Sequence, residues 1–333
     1  MDRRLRLGIV GFGRIVELIH LPLLKKLPAY EVCGIYDMTP ERRSLAEKRG
    51  FSAFDSLERL FEQSLDAVLV ATPPSSHYSI AREALLRGLH VLIEKPVTQT
   101  AEESERLLAL EAQTGKSVTV FHNRRFDPDF LLVRHVLAEG WLGDILFVER
   151  RHHMFGSGAS FGVKSFRPEW RNEAKYGGGA LLDWGVHLVD QLLRLELGDY
   201  ERLVSAGVSS LRWQQGDVED FVNANFQLHN GIQMLFEVNF GSHAAAPFWI
   251  VGGDKATLQV MPNNEALIYE KGKTVRKVEI PPGVRPGPEM IYASFADCLL
   301  QGAKPAVTLA EAAQTMKILE AVRDASAITT KGL

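Results

Sequence analysis

The chain has 333 residues, 46% apolar and 24% charged, and 38 basic against 41 acidic side chains leave a formal net charge of −3. That length suits two domains of ordinary size, and that composition excludes a disordered or fibrous chain. The balanced charge has no basic block for nucleic acid, and no apolar stretch approaches the roughly 20 residues that span a bilayer.

The N-terminal Met-Asp-Arg-Arg-Leu-Arg lacks the features of a signal peptide. Cys33 and Cys298 lie too far apart in sequence to suggest a disulfide framework or a zinc knuckle. A cytoplasmic protein without nucleic-acid or membrane partners is expected.

Up to residue 122, short apolar runs alternate with charged periodic stretches. Residues 5–10, 30–36, 67–71, 90–93 and 117–121 read as strands buried on both faces. Residues 40–49, 77–87 and 101–114 read as the helices between them. This alternation predicts an α/β fold over 1–122, a doubly wound parallel sheet of the Rossmann type.

Within that region, Gly8-Ile9-Val10-Gly11-Phe12-Gly13 ends a strand and opens a helix. Gly11 permits the tight turn, and Gly13 lets the backbone approach a dinucleotide pyrophosphate. Val16 stands where a third glycine is usual. Asp37 ends the second strand, where a carboxylate accepts hydrogen bonds from an adenosine ribose and repels a 2′-phosphate. NAD is therefore favoured, and NADP stays open because Arg42 and Arg43 follow. Val91-Leu92-Ile93-Glu94-Lys95-Pro96 then carries a lysine to the carboxyl end of a parallel strand, the rim where such sheets bind ligands.

Beyond residue 122 the pattern changes to an α+β domain over 123–333, with a mostly antiparallel open sheet. His152 and His153 adjoin on a strand and so face opposite ways, which argues against a metal site. Gly177-Gly178-Gly179 offers a backbone that a flat ring could approach, and a helix follows. Asp183 and His187, four apart, share one face of that helix with Asp190. A carboxylate and an imidazole so placed suit proton transfer near neutral pH. Residues 221–228 and 232–240 alternate across a turn at His229-Asn230-Gly231, with further strands at 248–251, 257–260, 267–269 and 275–280. Residues 308–327 read as a closing helix.

The whole chain resembles the glucose–fructose oxidoreductase and inositol dehydrogenase family (Gfo/Idh/MocA). The resemblance rests on four segments: Gly11 to Ile15 with His20-Leu21-Pro22, Ala71-Thr72-Pro73-Pro74-Ser75-Ser76-His77, Glu94-Lys95-Pro96, and Gly177 through His187. It implies that Lys95, Asp183 and His187 form the catalytic group. Gly11, Phe12, Gly13, Arg14, Ile15, Asp37, Thr72, Pro73, Pro74, His77, Glu94, Lys95 and Asn123 would meet the cofactor. Trp170, Arg171 and Tyr292 would line the substrate pocket, with 155–167 as a mobile specificity loop. Residues 121–127 are most similar to scyllo-inositol and related polyol dehydrogenases of the family.

The expected reaction is reversible NAD(P)-dependent oxidation of a secondary alcohol on a sugar or cyclic polyol. A redox-neutral NAD-dependent glycosidase and a non-catalytic dinucleotide sensor are the alternatives. The resemblance also implies a homodimer or homotetramer through the second sheet. It raises a cis peptide at Lys95–Pro96 as a further expectation.

Overall fold

The computed structural model describes residues 3–156, 169–211, 216–284 and 286–330. The first sheet is built from β1 (Leu5–Val10), β2 (Tyr30–Tyr36), β3 (Ala53–Phe54), β4 (Ala67–Val70), β5 (His90–Ile93) and β6 (Val118–Val120). All six run parallel in the order β3-β2-β1-β4-β5-β6. Leu7, Ile9, Val68, Leu69, Val91 and Leu92 are wholly buried, which explains why these strands read as unbroken apolar runs. The strand order reverses between β1 and β4, so a crevice opens beyond their carboxyl ends.

Helices α1 (Leu21–Leu24), α2 (Pro40–Lys48), α3 (Leu57–Phe61), α4 (His77–Leu86) and α5 (Ala101–Thr114) connect these strands. The ends of α5 show why its span is legible in the sequence. The Thr100 side chain accepts the amide of Glu103 at one end, and Gly115 adopts the left-handed conformation at the other.

The chain then forms α6 (Pro128–Ala138), β7 (Ile145–His153), α7 (Val186–Leu193), β8 (Tyr200–Ser209), β9 (Phe221–Leu228) and β10 (Gln233–Asn239). It continues through β11 (Trp249–Gly253), β12 (Thr257–Val260), β13 (Ala266–Glu270), β14 (Lys273–Val278), α8 (Glu289–Gln301) and α9 (Leu309–Thr330). The eight strands make one sheet in the order β14-β13-β12-β11-β7-β10-β9-β8. Its pairs are antiparallel except β7 with β10, which the long intervening crossover makes parallel.

In the hairpin, Ala224 faces Phe236 and Phe226 faces Met234, all buried, as the alternation predicts. Helices α7 and α9 lie against this sheet, and α9 also packs on α5 and β6. Among the described residues, no helix is long and apolar enough to cross a membrane.

Candidate active site

The crevice beyond β1 begins at the glycine turn. Gly11 has φ +93°, and a side chain there would meet the Ala71 carbonyl at 2.8 Å. A Cβ on Gly13 would meet nothing within 4 Å, so the turn presents an open backbone cradle that fits a pyrophosphate. Arg14 and Ile15 lead into a π-helical turn, Val16–His20. Val16, in the third-glycine position, is buried where the helix begins on this wider turn.

Asp37 has two tasks at this site. One carboxylate oxygen accepts the amide of Phe12 at 2.7 Å and the other accepts that of Thr39 at 2.8 Å. An ionised carboxylate offers about four acceptor positions, so capacity remains for ribose hydroxyls. Arg42 departs from expectation. It is buried and donates to the Phe12 carbonyl at 2.6 Å and to Glu17 at 2.5 Å, so its guanidinium braces the turn from behind. Arg43 caps the Asp37 carbonyl at 2.8 Å.

Two expected cofactor contacts need correction. His77 is fully buried, with its ring nitrogens 2.8 Å from the Pro96 carbonyl and 2.9 Å from that of Thr72. Its side chain ties two loops together instead of facing a ligand. Glu94 is also buried; its carboxylate turns to His20 and to the Lys95 amide. Thr72 takes a hydrogen bond from Ser76 at 2.7 Å, and Pro73 and Pro74 lead into a short 3-10 turn. Asn123 stands half-buried just past β6.

Lys95 reaches from the end of β5 across to the second domain. Its ammonium donates to the Asp183 carbonyl at 2.6 Å and to the Asp183 carboxylate at 2.9 Å. Arg171 approaches the other carboxylate oxygen at 3.6 Å, and its guanidinium lies 4.4 Å over the Trp170 ring. Burial pushes the Asp183 carboxyl up, but Lys95 and Arg171 together outweigh that and hold it down at about 2. The Lys95–Pro96 peptide is cis.

Asp183 lies on a second π-helical turn, Leu181–Gly185, which opens into α7. The glycines ahead of it are packed against protein, contrary to the expectation of an open ring platform. Side chains at Gly177, Gly178 and Gly179 would strike Pro74, the Arg171 carbonyl and Glu219 at 2.7, 2.2 and 2.4 Å. The Glu219 carboxylate accepts the Leu181 amide at 2.8 Å and so anchors the start of the π turn.

His187, one turn on, is buried, and its Nδ1 has no hydrogen-bond partner. Burial first, then the cations of Lys95 and Arg124, hold its imidazole well below the usual histidine range. The ring is therefore neutral at physiological pH and can accept a proton. Asp190, on the same sequence stripe, leaves this group. Its carboxylate takes two hydrogen bonds from Arg125, at 2.6 and 2.8 Å, and Arg125 also reaches Glu311 at 2.7 Å.

Tyr292 is likewise corrected. It has no exposed surface, and its hydroxyl lies 2.8 Å from His20, which in turn meets Glu94. Of the expected specificity loop 155–167, residues 157–167 lie outside the described residues.

Sequence reasoning missed four residues around His187, namely His122, Trp184, His152 and Arg124. The His122 ring stands 6.3 Å away, edge to face and buried, with neither nitrogen in a hydrogen bond and Nδ1 3.8 Å from the Asp190 carboxylate. Trp184 is stacked by His152 at 3.3 Å, and the Arg124 guanidinium lies 4.2 Å over its ring. His153, as expected, turns the other way and meets Glu237 at 2.5 Å. The available signal was position: His122 follows β6 at the same sheet rim as Lys95.

Comparison with known proteins agrees with this architecture. Residues 5–122 match the model of an oxidoreductase family with an NAD-binding Rossmann fold. Residues 130–259 match the GFO/IDH/MocA C-terminal domain. The chain is 27% identical to scyllo-inositol 2-dehydrogenase (NADP(+)) IolW of Bacillus subtilis, over 97% of this chain and 94% of that protein. It is 31% identical to the Escherichia coli oxidoreductase YdgJ, a match spanning 59% of this chain and only 54% of YdgJ. Among solved structures, an NAD-binding protein from Listeria innocua superimposes with a TM-score of 0.86 at 30% identity, covering 98% of this chain and 96% of that one. The chain thus belongs to the Gfo/Idh/MocA oxidoreductases, with an NAD-binding Rossmann domain.

Proposed function

We propose that the protein reversibly oxidises a secondary alcohol of a sugar or cyclic polyol. The observation that carries this reading is the bonded Lys95–Asp183 pair beside a neutral His187, at the ligand-binding rim of a dinucleotide sheet. The bound nicotinamide would supply the hydride acceptor. Gly11, Gly13 and Asp37 are the residues that would hold the dinucleotide.

Each side chain then has a defined task. Neutral His187, beside this pair, takes the substrate hydroxyl proton on its ring as general base. Two of the three Lys95 protons are engaged by Asp183, and the third is directed to the developing alkoxide. Asp183 keeps that ammonium in place, and Arg171 steadies Asp183.

The substrate class is supported by the charged groups that converge at this rim and keep accessible surface, Lys95, Asp183 and Arg171. A molecule with several hydroxyls could exchange hydrogen bonds with all three. The name of the full-length relative IolW, a scyllo-inositol dehydrogenase, fits the same class.

The test is a panel of cyclic polyols, aldoses and aryl glycosides with NAD or NADP, following reduced nicotinamide and released aglycone together. Net reduction of the cofactor by a polyol or sugar is expected. Aglycone release without net reduction would replace this reading with a redox-neutral glycosidase, and cofactor binding without turnover with a sensor.

A further inference from the structure

Tyr292, His20 and Glu94 make a buried hydrogen-bonded chain that ends on the backbone of Lys95, and we propose that this chain positions the Lys95 ammonium for reaction. The proposal rests on the reading of Lys95 as the group that stabilises the alkoxide. The Tyr292 hydroxyl lies 2.8 Å from His20 Nδ1, and His20 Nε2 lies 2.9 Å from one Glu94 oxygen. The other Glu94 oxygen accepts the Lys95 amide at 3.0 Å. Exposure along the chain is 0% at Tyr292, 0% at His20 and 7% at Glu94.

One direction of donation satisfies every member. Burial raises the Tyr292 hydroxyl well above its usual range, so it keeps its proton and donates to Nδ1. Burial also pushes the Glu94 carboxyl up, but the hydrogen bond from His20, with the charge and amide of Lys95, brings it below its usual value. It therefore accepts from both sides. With Tyr292 donating to Nδ1, the Nε2 proton of His20 points to Glu94 and completes the series. The Phe121 ring, 4.5 Å from that of His20, and the Tyr30 hydroxyl, donating to the Tyr292 carbonyl at 2.6 Å, keep both ends in place.

The three members come from α8, from the π turn after the glycine fingerprint, and from the residue following β5. The segment that begins at the phosphate cradle thus also carries the imidazole that orients Glu94. An ionised carboxylate is costly to bury, so apolar packing would serve mere stability better. Beside Lys95 the same carboxylate sets the peptide from which the ammonium projects.

The test compares His20→Gln with His20→Asn. Glutamine places its amide nitrogen near the position of Nε2 and keeps the bond to Glu94; asparagine reaches only the Nδ1 position and loses it. With the best substrate of the panel, His20→Asn is expected to lower kcat by about 10-fold to 100-fold, as a small misplacement at a reacting centre does. Its KM and its NAD Kd, read by tryptophan fluorescence, should stay within about twofold, and His20→Gln should retain most of kcat.

A second readout needs no turnover: labelling of Lys95 by trinitrobenzenesulfonate, followed by mass spectrometry. Faster labelling in His20→Asn than in wild type and His20→Gln is expected. Equal kcat losses in both variants that follow Tm, or unchanged kcat and labelling in both, would overturn the proposal. A wild type inactive on every substrate would overturn the functional reading alone, and the labelling comparison would still decide the chain.

Discussion

The Lys95 ammonium holds both the main-chain carbonyl and the carboxylate of Asp183, at 2.6 and 2.9 Å. This contact joins the carboxyl end of the parallel sheet to the π turn ahead of α7, so the pair fixes the two halves of the site against each other. Lys95→Met removes the alkoxide-stabilising charge and leaves Asp183 without its nearest cation. A kcat loss of about 100-fold to 1,000-fold is expected, with NAD binding by fluorescence titration unchanged. A variant with near wild-type kcat would remove Lys95 from the mechanism.

His187 sets the acid limb of activity. Its imidazole is held well below the usual histidine value by burial, Lys95 and Arg124. The ring stays neutral and competent until pH falls through that depressed value, so kcat/KM should hold well below pH 6.5. A limb at or above 6.5 in a pH series would contradict the assignment.

Stability should respond to pH earlier than activity does. Burial also lowers His122 to about 4 and His152 to about 3. Below about pH 6.5 the unfolded chain binds protons at these rings that the folded chain refuses, so stability falls as pH falls. Each ring contributes up to roughly 1.4 kcal/mol per pH unit in that window. Urea unfolding at pH 7 and pH 5 should show the fall, and His122→Phe should reduce it.

Asp37→Ser tests the cofactor preference. Wild type should bind NAD more tightly than NADP, and the variant should narrow or reverse that ratio. Because Asp37 also accepts the Phe12 and Thr39 amides, a stability loss of about 1–3 kcal/mol should accompany the change. Tighter binding of NADP by the wild type would show that Arg43 outweighs the carboxylate.

Arg125 ties three separated segments together through Asp190 and Glu311. Arg125→Met strands a buried carboxylate and should cost about 3–5 kcal/mol in urea unfolding. Adding Asp190→Leu should restore part of that loss, since it removes the unpaired charge. A single variant as stable as the wild type would contradict the buried-pair account.

The outer face of β8–β10 is where we propose that copies of the chain associate. Ser205, Asn223, Asn225, Leu235 and Glu237 line a shallow depression there, and Asn225 Oδ1 is buried without a partner. Light scattering at micromolar concentration should give a dimer or a tetramer, and Leu235→Arg should shift it toward a single-chain mass. A wild-type mass near 37.1 kDa would refute this.

The sequence by itself determined the class of both sheets and the place of Lys95, but not the edge strands β3 and β8. Strands covered on both faces must be apolar throughout, as 67–71 and 90–93 are, whereas a sheet covered on one face must alternate, as 221–228 does. A lysine ending a parallel strand must stand at the rim, and a helix closed by Thr100 and Gly115 has both ends written locally. Tertiary structure alone decided which partner each polar side chain took. Asp190 shares a sequence stripe with Asp183 but turns to Arg125, and Tyr292 meets His20 instead of the pocket. The glycine run accommodates the Arg171 carbonyl and Glu219, not an approaching ring. Residue type and spacing limit what a side chain can do. The choice of partner depends on which distant segment packing brings within about 3 Å, a relation that no local pattern encodes.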